Sequence, residues 1–250
     1  AAGVRPRRRW LEHAQAVPVV RPLEAEIVAW LSPGAERVID TACAHVFLGP
    51  ELTLKVKRHD DLGYADFSTP ERRLWALDRE LEFNRPAAPH IYRAVRRITR
   101  EADGSLAIDG GGETVDHLLE MQRFDETAVL SACPERIDGE LAEQLGRAIA
   151  GFHQTAPLRP AGGLTSIAWT VGSNARLLRE TCKGLDQARV ETMIALTEAE
   201  LERQAPLLAH RSAAGFSRRC HGDLHLGNIL LEDGHPVLFD CIEFSDILSD

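Results

Sequence analysis

The chain has 250 residues, 44% of them apolar and 27% charged, long enough to bury one large core or two smaller ones. Its 29 lysines and arginines against 38 acidic residues leave a formal net charge of −9, which argues against a protein built to grip nucleic-acid phosphates and suits neutral or cationic partners. No run of about 18 apolar residues predicts a membrane span, no short apolar core marks a signal peptide, and five scattered cysteines without a C-x-x-C pair predict reduced thiols, so the expected location is the cytoplasm.

Arg5, Arg7, Arg8 and Arg9 make the N-terminus basic, a pattern that predicts a solvated end rather than a docking arm. Apolar residues at helical spacing (Ile27, Val28, Trp30, Leu31) predict a short helix ending at Ser32-Pro33-Gly34. The β-prone stretches 44–48 and 52–57 flank Gly49-Pro50 and predict a hairpin. In its second strand the period of two puts Leu54 and Val56 on one face and Thr53, Lys55 and Lys57 on the other. Ser68-Thr69-Pro70-Glu71 then predicts a helix start, with Ser68 as the capping hydroxyl, running to about Arg85. Leu74, Leu77 and Leu81 form its expected apolar stripe, Glu80 sits at the edge of that stripe facing inward, and Glu82 points to solvent. Alternating stretches at 91–98, 105–108 and 115–124, with a turn at 109–112, complete a small, mostly antiparallel sheet. Beyond a boundary near 122–128 the pattern turns helical, through Leu141, Leu145, Ile149 and Phe152 and then through Val190, Ile194, Leu201 and Leu208.

The densest polar cluster runs from Cys220 through His221, Asp223, His225 and Asn228, followed by a turn, the apolar Val237-Leu238-Phe239, and Asp240. Two strands joined by that turn bring Asn228 near Asp240, an amide oxygen beside a carboxylate, which is the hard-oxygen chemistry that suits Mg²⁺ next to phosphates. Asp223, on the preceding loop, is then placed to accept the proton of a substrate hydroxyl.

His221-x-Asp223-x4-Asn228, with Asp240 seventeen residues after Asp223, resembles the catalytic loop and metal-binding aspartate of the kinase fold. The His-Gly-Asp form, with His225 and Gly227-Asn228, is similar to aminoglycoside phosphotransferases and related small-molecule kinases rather than to protein kinases. Leu145-Gly146-Arg147 to Phe152-His153 resembles the helix before that loop. Val46-Phe47-Leu48, Asp61-Leu62-Gly63, Asp66-Phe67-Ser68-Thr69 and Phe239-Asp240-Cys241-Ile242-Glu243-Phe244 resemble the bacterial members that often carry a second, P-loop kinase domain downstream.

The resemblance, over roughly residues 38–250, implies an α+β, two-lobed protein-kinase-like fold. It divides the chain into an N-terminal extension (1–37), a nucleotide-binding N-lobe (38–124) and a helical catalytic C-lobe (125–250) incomplete at its C-terminus. It implies ATP and Mg²⁺ as cofactors, Asp223 as base or hydroxyl orienter, Asn228 and Asp240 as metal ligands, Lys55 on the nucleotide phosphates and Glu80 pairing with it. Lys57, on the same strand face, stays the alternative to Lys55. The hinge at adenine falls in 120–124, around Met121, and His221 is a packing and hydrogen-bonding residue. The implied acceptor is a small neutral or cationic molecule with a hydroxyl, with neither nucleic acid nor membrane as partner. The family departs from this chain in two places. Asp40–His45, where protein kinases have a glycine-rich loop, contains no glycine, and the chain stops ten residues after Asp240, where the family continues through helices and sometimes a further domain.

Two other readings use the same residues. Cys220, His221, Asp223, His225 and Asp240 are ligand types for the transition metal of a hydrolase, although Gly222 and Gly227 disfavour the helix such spacing needs. A catalytically silent nucleotide-binding module of the same fold is the third, since fold alone does not make activity. Gly146-x4-Gly151 is followed by Phe152-His153 rather than Lys-Ser/Thr, so it is no P-loop. Glu243 is expected as a solvated loop carboxylate.

Overall fold

A computed structural model describes residues 21–250; the arginine run at 5–9 lies outside them. Helix α1 (Pro22–Leu31) opens with proline in its first turn and buries Ile27 and Leu31 against Phe47, Val56, Ile98 and Leu118. A ten-residue helix has little stability of its own, and its apolar stripe must find a partner. The stretch expected as an extension before residue 38 therefore belongs to the N-terminal core from Pro22 onward, and the first strand starts at Arg37.

Six strands follow: β1 (Arg37–Asp40), β2 (Ala44–Leu48), β3 (Leu52–Lys57), β4 (Tyr92–Arg100), β5 (Leu106–Ile108) and β6 (Glu113–Gln122). They form one antiparallel sheet in the order β1-β2-β3-β6-β4-β5. Helix α2 (Pro70–Asn84) links β3 to β4 and packs on the face opposite α1. The alternation of β6 shows the two faces: Leu118 lies in the α1 core, Leu119 in the core containing Leu77 of α2. The expected hairpin is present, with Lys55 paired to Val46 and Lys57 to Ala44.

Helix α2 differs from its sequence reading in two details. Its cap is Thr69, whose hydroxyl accepts from the Arg72 amide, rather than Ser68. Its buried face consists of Arg73, Ala76, Leu77, Glu80, Phe83 and Asn84, while Leu74 and Leu81 are only half-buried. Glu80 thus lies in the middle of the inner face. The face tolerates three polar side chains because each is paired: Arg73 with Asp116, Glu80 with two lysines, and Asn84 with the backbone at Glu80 and Cys241.

The second half contains α3 (Gly139–Thr155), α4 (Leu164–Thr181), α5 (Gln187–Ala213) and a hairpin of β7 (Ile229–Glu232) and β8 (His235–Leu238). Of these helices α3 and α5 are anticipated from the sequence and α4 is not, although Leu164, Ile167, Val171, Ala175 and Leu178 recur there at helical spacing; its start lacks a capping side chain, Gly163 standing at that position. Leu130, Leu141, Ile229, Leu231 and Leu238 form the core beneath the hairpin. Leu230 turns the other way, into the core of Leu77, Tyr92 and Met121, and fixes the hairpin to the sheet. Among the described residues no helix is long and apolar enough to cross a membrane, and all five cysteines are free thiols.

Candidate active site

Strand period and helix face together dictate the centre of the site. Lys55 and Lys57 project from the same face of β3 toward α2, and both reach Glu80. Lys55 Nζ donates to Glu80 Oε1 at 2.6 Å and Lys57 Nζ to Oε2 at 2.7 Å. Each lysine also holds a second carboxylate: Lys55 reaches Asp240 Oδ1 at 2.9 Å, and Lys57 reaches Glu243 Oε1 at 2.7 Å. The result is an alternating chain, Asp240–Lys55–Glu80–Lys57–Glu243, that ties the sheet, α2 and the segment after β8. Burial works against charge on Lys55, Lys57, Glu80 and Asp240, but the opposed charges win. Burial alone would raise the Glu80 carboxyl, yet Lys55 and Lys57 hold it below its ordinary value; Lys55 is raised well above its own by Asp240 and Glu80 despite burial. Lys55, Lys57, Glu80 and Asp240 are therefore ionised at neutral pH.

The structure separates the two lysines. Lys57 is 1% exposed and enclosed between Glu80 and Glu243, whereas Lys55 is 13% exposed and lines the cleft between sheet and hairpin. Glu243, expected in solvent, is 5% exposed and fully engaged, a correction that follows from Lys57 needing a second counter-charge once buried.

Asp240 is aimed by backbone constraints. It has φ +62°, a left-handed conformation that aspartate tolerates better than most residues, and its amide donates to the Tyr92 hydroxyl at 3.0 Å. The next amide, Cys241, donates to Asn84 Oδ1 at 2.8 Å, while Asn84 Nδ2 donates to the Glu80 carbonyl at 2.8 Å. One buried amide side chain so connects the backbone after β8 to the turn of α2 that carries Glu80. Lys55 above all holds the Asp240 carboxyl below its ordinary value.

Across the hairpin, Asn228 donates through Nδ2 to the Asp223 carbonyl at 2.8 Å, and its own carbonyl accepts from the Phe239 amide. Its Oδ1 has no hydrogen-bond donor among the described residues, and the second carboxylate oxygen of Asp240 is in the same condition. Two hard oxygens of this kind fit Mg²⁺, which keeps several waters and takes phosphate oxygens for the remainder. The Asp223 side chain is 59% exposed and open to a substrate. His221 is 1% exposed, its Nε2 meets the Phe239 carbonyl at 2.8 Å, and burial lowers its pKa, so it is a neutral scaffold of the loop.

The cleft itself encloses about 350 Å³ between Val46, Thr53 and Lys55 of the sheet, Tyr92 and Met121 at its floor, and Gly227, Phe239 and Asp240 of the loop and hairpin. Phe124 and Phe239 meet at 5.3 Å across its inner end. In the expected hinge, the amides of Gln122 and Arg123 already donate to the carbonyls of Ile91 and Glu51, so those two donors are not free for a base. The turn between β1 and β2 is likewise closed on itself: Thr41 Oγ1 accepts from the amides of Cys43 and Ala44, the donors a glycine-rich loop would offer to phosphates.

The hydrolase constellation does not assemble. His221 is spent on a carbonyl, His225 accepts from the Gly227 amide, and Cys220 faces a different cavity. Among the described residues no three His, Cys, Asp or Glu side chains are grouped to hold a metal ion. The residues that sequence reasoning missed are Tyr92, Asn84 and the Lys57–Glu243 pair. Of these only Lys57 left a signal, its shared parity with Lys55 on a strand next to a glutamate-bearing helix.

Comparison with known proteins places this geometry. Residues 52–246 match the family described as "Phosphotransferase enzyme family". Uncharacterized proteins of Mycobacterium tuberculosis (Rv2004c) and Mycobacterium bovis (Mb2027c) are each 27% identical over 222 residues, covering 84% of this chain and 42% of theirs. The chain thus spans about two fifths of the length of these relatives. Among solved structures, the GDP and kanamycin complex of APH(2")-IIia aligns over 91% of this chain and 75% of its own, at a TM-score of 0.50 and 10% identity.

Proposed function

The chain belongs to the phosphotransferase enzyme family, with an α+β kinase-like fold, and from that premise we propose that it transfers the γ-phosphoryl group of ATP, with Mg²⁺, to a hydroxyl of a small neutral or cationic molecule in the cytoplasm. The observation that carries the reading is that Lys55 and Asp240 line one cleft, Lys55 bonded both to Asp240 and to the buried Glu80, while Asn228, on the segment just before β7, holds the loop of the exposed Asp223. Phosphoryl transfer asks for positioning and charge neutralisation more than for covalent chemistry, and these groups supply both.

Lys55, restrained by Glu80, directs its charge at the phosphates. Asn228 Oδ1 and the free oxygen of Asp240 hold Mg²⁺, which when bound offsets the negative charge developing on the transferred group. Asp223 accepts the hydrogen bond of the acceptor hydroxyl and receives its proton as transfer proceeds. With the β1–β2 turn closed by Thr41, this cleft grips phosphate through Lys55 and the metal rather than through loop amides. A net charge of −9 disfavours an anionic acceptor, because like charge is repelled from a cleft that already holds phosphates.

The test is a nucleotide-turnover screen against aminoglycosides, amino sugars and amino alcohols, with Asp240→Asn as control. Asparagine keeps tolerance of the left-handed backbone and removes the charge. We expect Mg²⁺-dependent transfer to at least one acceptor class and a fall of about 10² or more in the variant. Wild-type turnover by Asp240→Asn would remove Asp240 from the metal site. Nucleotide binding with no transfer to any acceptor would favour the silent module.

A further inference from the structure

A second cavity lies behind the catalytic loop, shares no lining residue with the nucleotide cleft and encloses about 630 Å³, within the range of small-molecule pockets. Phe83, Phe152, Leu238 and Cys241 make its wall apolar. The Cys241 thiol, pushed up to about 12 by burial, stays protonated and behaves as a small hydrophobe. The exposed Gly151 lies at its rim.

One cation faces this space. The Arg219 guanidinium is stacked on the Phe83 ring with its side chain only 16% exposed, and it makes no hydrogen bond among the described residues. Its nearest carboxylate, Glu82, stands off at 3.9 Å and is itself 69% exposed. Arg79 stacks on the same ring, but its charge is taken up by an ion pair with Asp246. Glu82 lines the same cavity but stays beyond hydrogen-bond distance, so the largely buried guanidinium keeps unused donors, and a ligand carboxylate matches its fork. The single arginine and the apolar walls favour a monoanion with a hydrophobic body over a phosphate, which would bring two charges into a space with one partner.

We propose that this cavity binds a small molecule that joins an apolar body to a carboxylate, with Arg219 as the anion's partner. The site abuts the catalytic segments from behind, since Cys220 precedes His221 and Cys241 follows Asp240, and it is independent of whether the chain transfers phosphoryl groups.

Titration calorimetry on the nucleotide-free chain, with 4-phenylbutyrate and octanoate against their neutral amides, tests it. The acids are expected to bind at least about tenfold more tightly than the amides, the scale of a charge-assisted hydrogen bond, and Arg219→Met should abolish the preference. Gly151→Leu adds a side chain at the rim of the cavity without a clash, because a Cβ there meets nothing within 4 Å, and it should weaken binding of acids and amides alike. Equal binding of acid and amide, binding undiminished in Gly151→Leu, or no heat with any of the four probes would each overturn the proposal. The second variant decides the matter even if Arg219→Met folds poorly.

Discussion

Replacing Glu80 by glutamine tests whether one carboxylate organises both lysines. Its two oxygens accept from Lys55 at 2.6 Å and Lys57 at 2.7 Å, in a position with 0% exposure. Hydrogen bonds to ionised groups contribute about 1.5–3 kcal/mol each, and glutamine retains one acceptor oxygen. Each lysine also keeps a second carboxylate, so the loss stays at or below the about 3–5 kcal/mol of orphaning a buried ion. A cost of about 3 kcal/mol follows, which for a chain of this length lowers the melting temperature by roughly 6–12 °C. Thermal melts followed by circular dichroism measure it. The folded carboxyl lies below its ordinary value of 4.5, so its contribution is present in full above that pH and fades as the pH falls further. The gap between wild type and variant should therefore be widest near neutrality and close in acid. Turnover should fall by about 10², because Lys55 is left to Asp240 alone. A variant that melts within about 1 °C of wild type at pH 7, well inside what a surface change produces, would refute the clamp.

Asp223→Asn should leave nucleotide affinity unchanged and lower transfer by about 10² or more; loss of affinity in the same proportion would make the residue structural. His45, 5% exposed between Glu24 and Asp40, has its pKa raised: burial opposes the charge, but the hydrogen bonds to the two carboxylates prevail. That stabilisation is complete below the unfolded value of about 6.5 and declines as the pH rises through the higher folded one. The melting temperature should thus drop as the pH rises above about 6.5 in wild type and less in His45→Gln, and parallel pH profiles would contradict the assignment.

Much of the fold was legible because its cues are local. The β2–β3 hairpin, the proline-led start of α2 and the helical spacing of α3 and α5 each lie within a window of a few turns. Helix α4 carries the same kind of cue, Leu164, Ile167, Val171, Ala175 and Leu178 at helical spacing, but no capping side chain marks its start, where Gly163 stands. The inward face of α2 was displaced because leucines were taken to mark it, while the buried positions include arginine, glutamate and asparagine, whose partners lie on other elements. At the site, the spacing of Asp223, Asn228 and Asp240 was readable as one short segment. The burial of Lys57 was not, because its second partner Glu243 lies 186 residues away and pairs with it only through the tertiary fold.

The alternating charge chain also imposes an order on biosynthesis. Domains form as units as the chain emerges, N-terminal parts first. When β3 and α2 have been made and residues 240–243 have not, the nascent sheet presents Lys55 and Lys57 to one carboxylate, two cations against one anion on a face that must later be dry. That face cannot close until residues 240–243 leave the ribosome, so a chain released before them carries an open, cationic seam where the folded unit pairs Lys55 with Asp240 and Lys57 with Glu243.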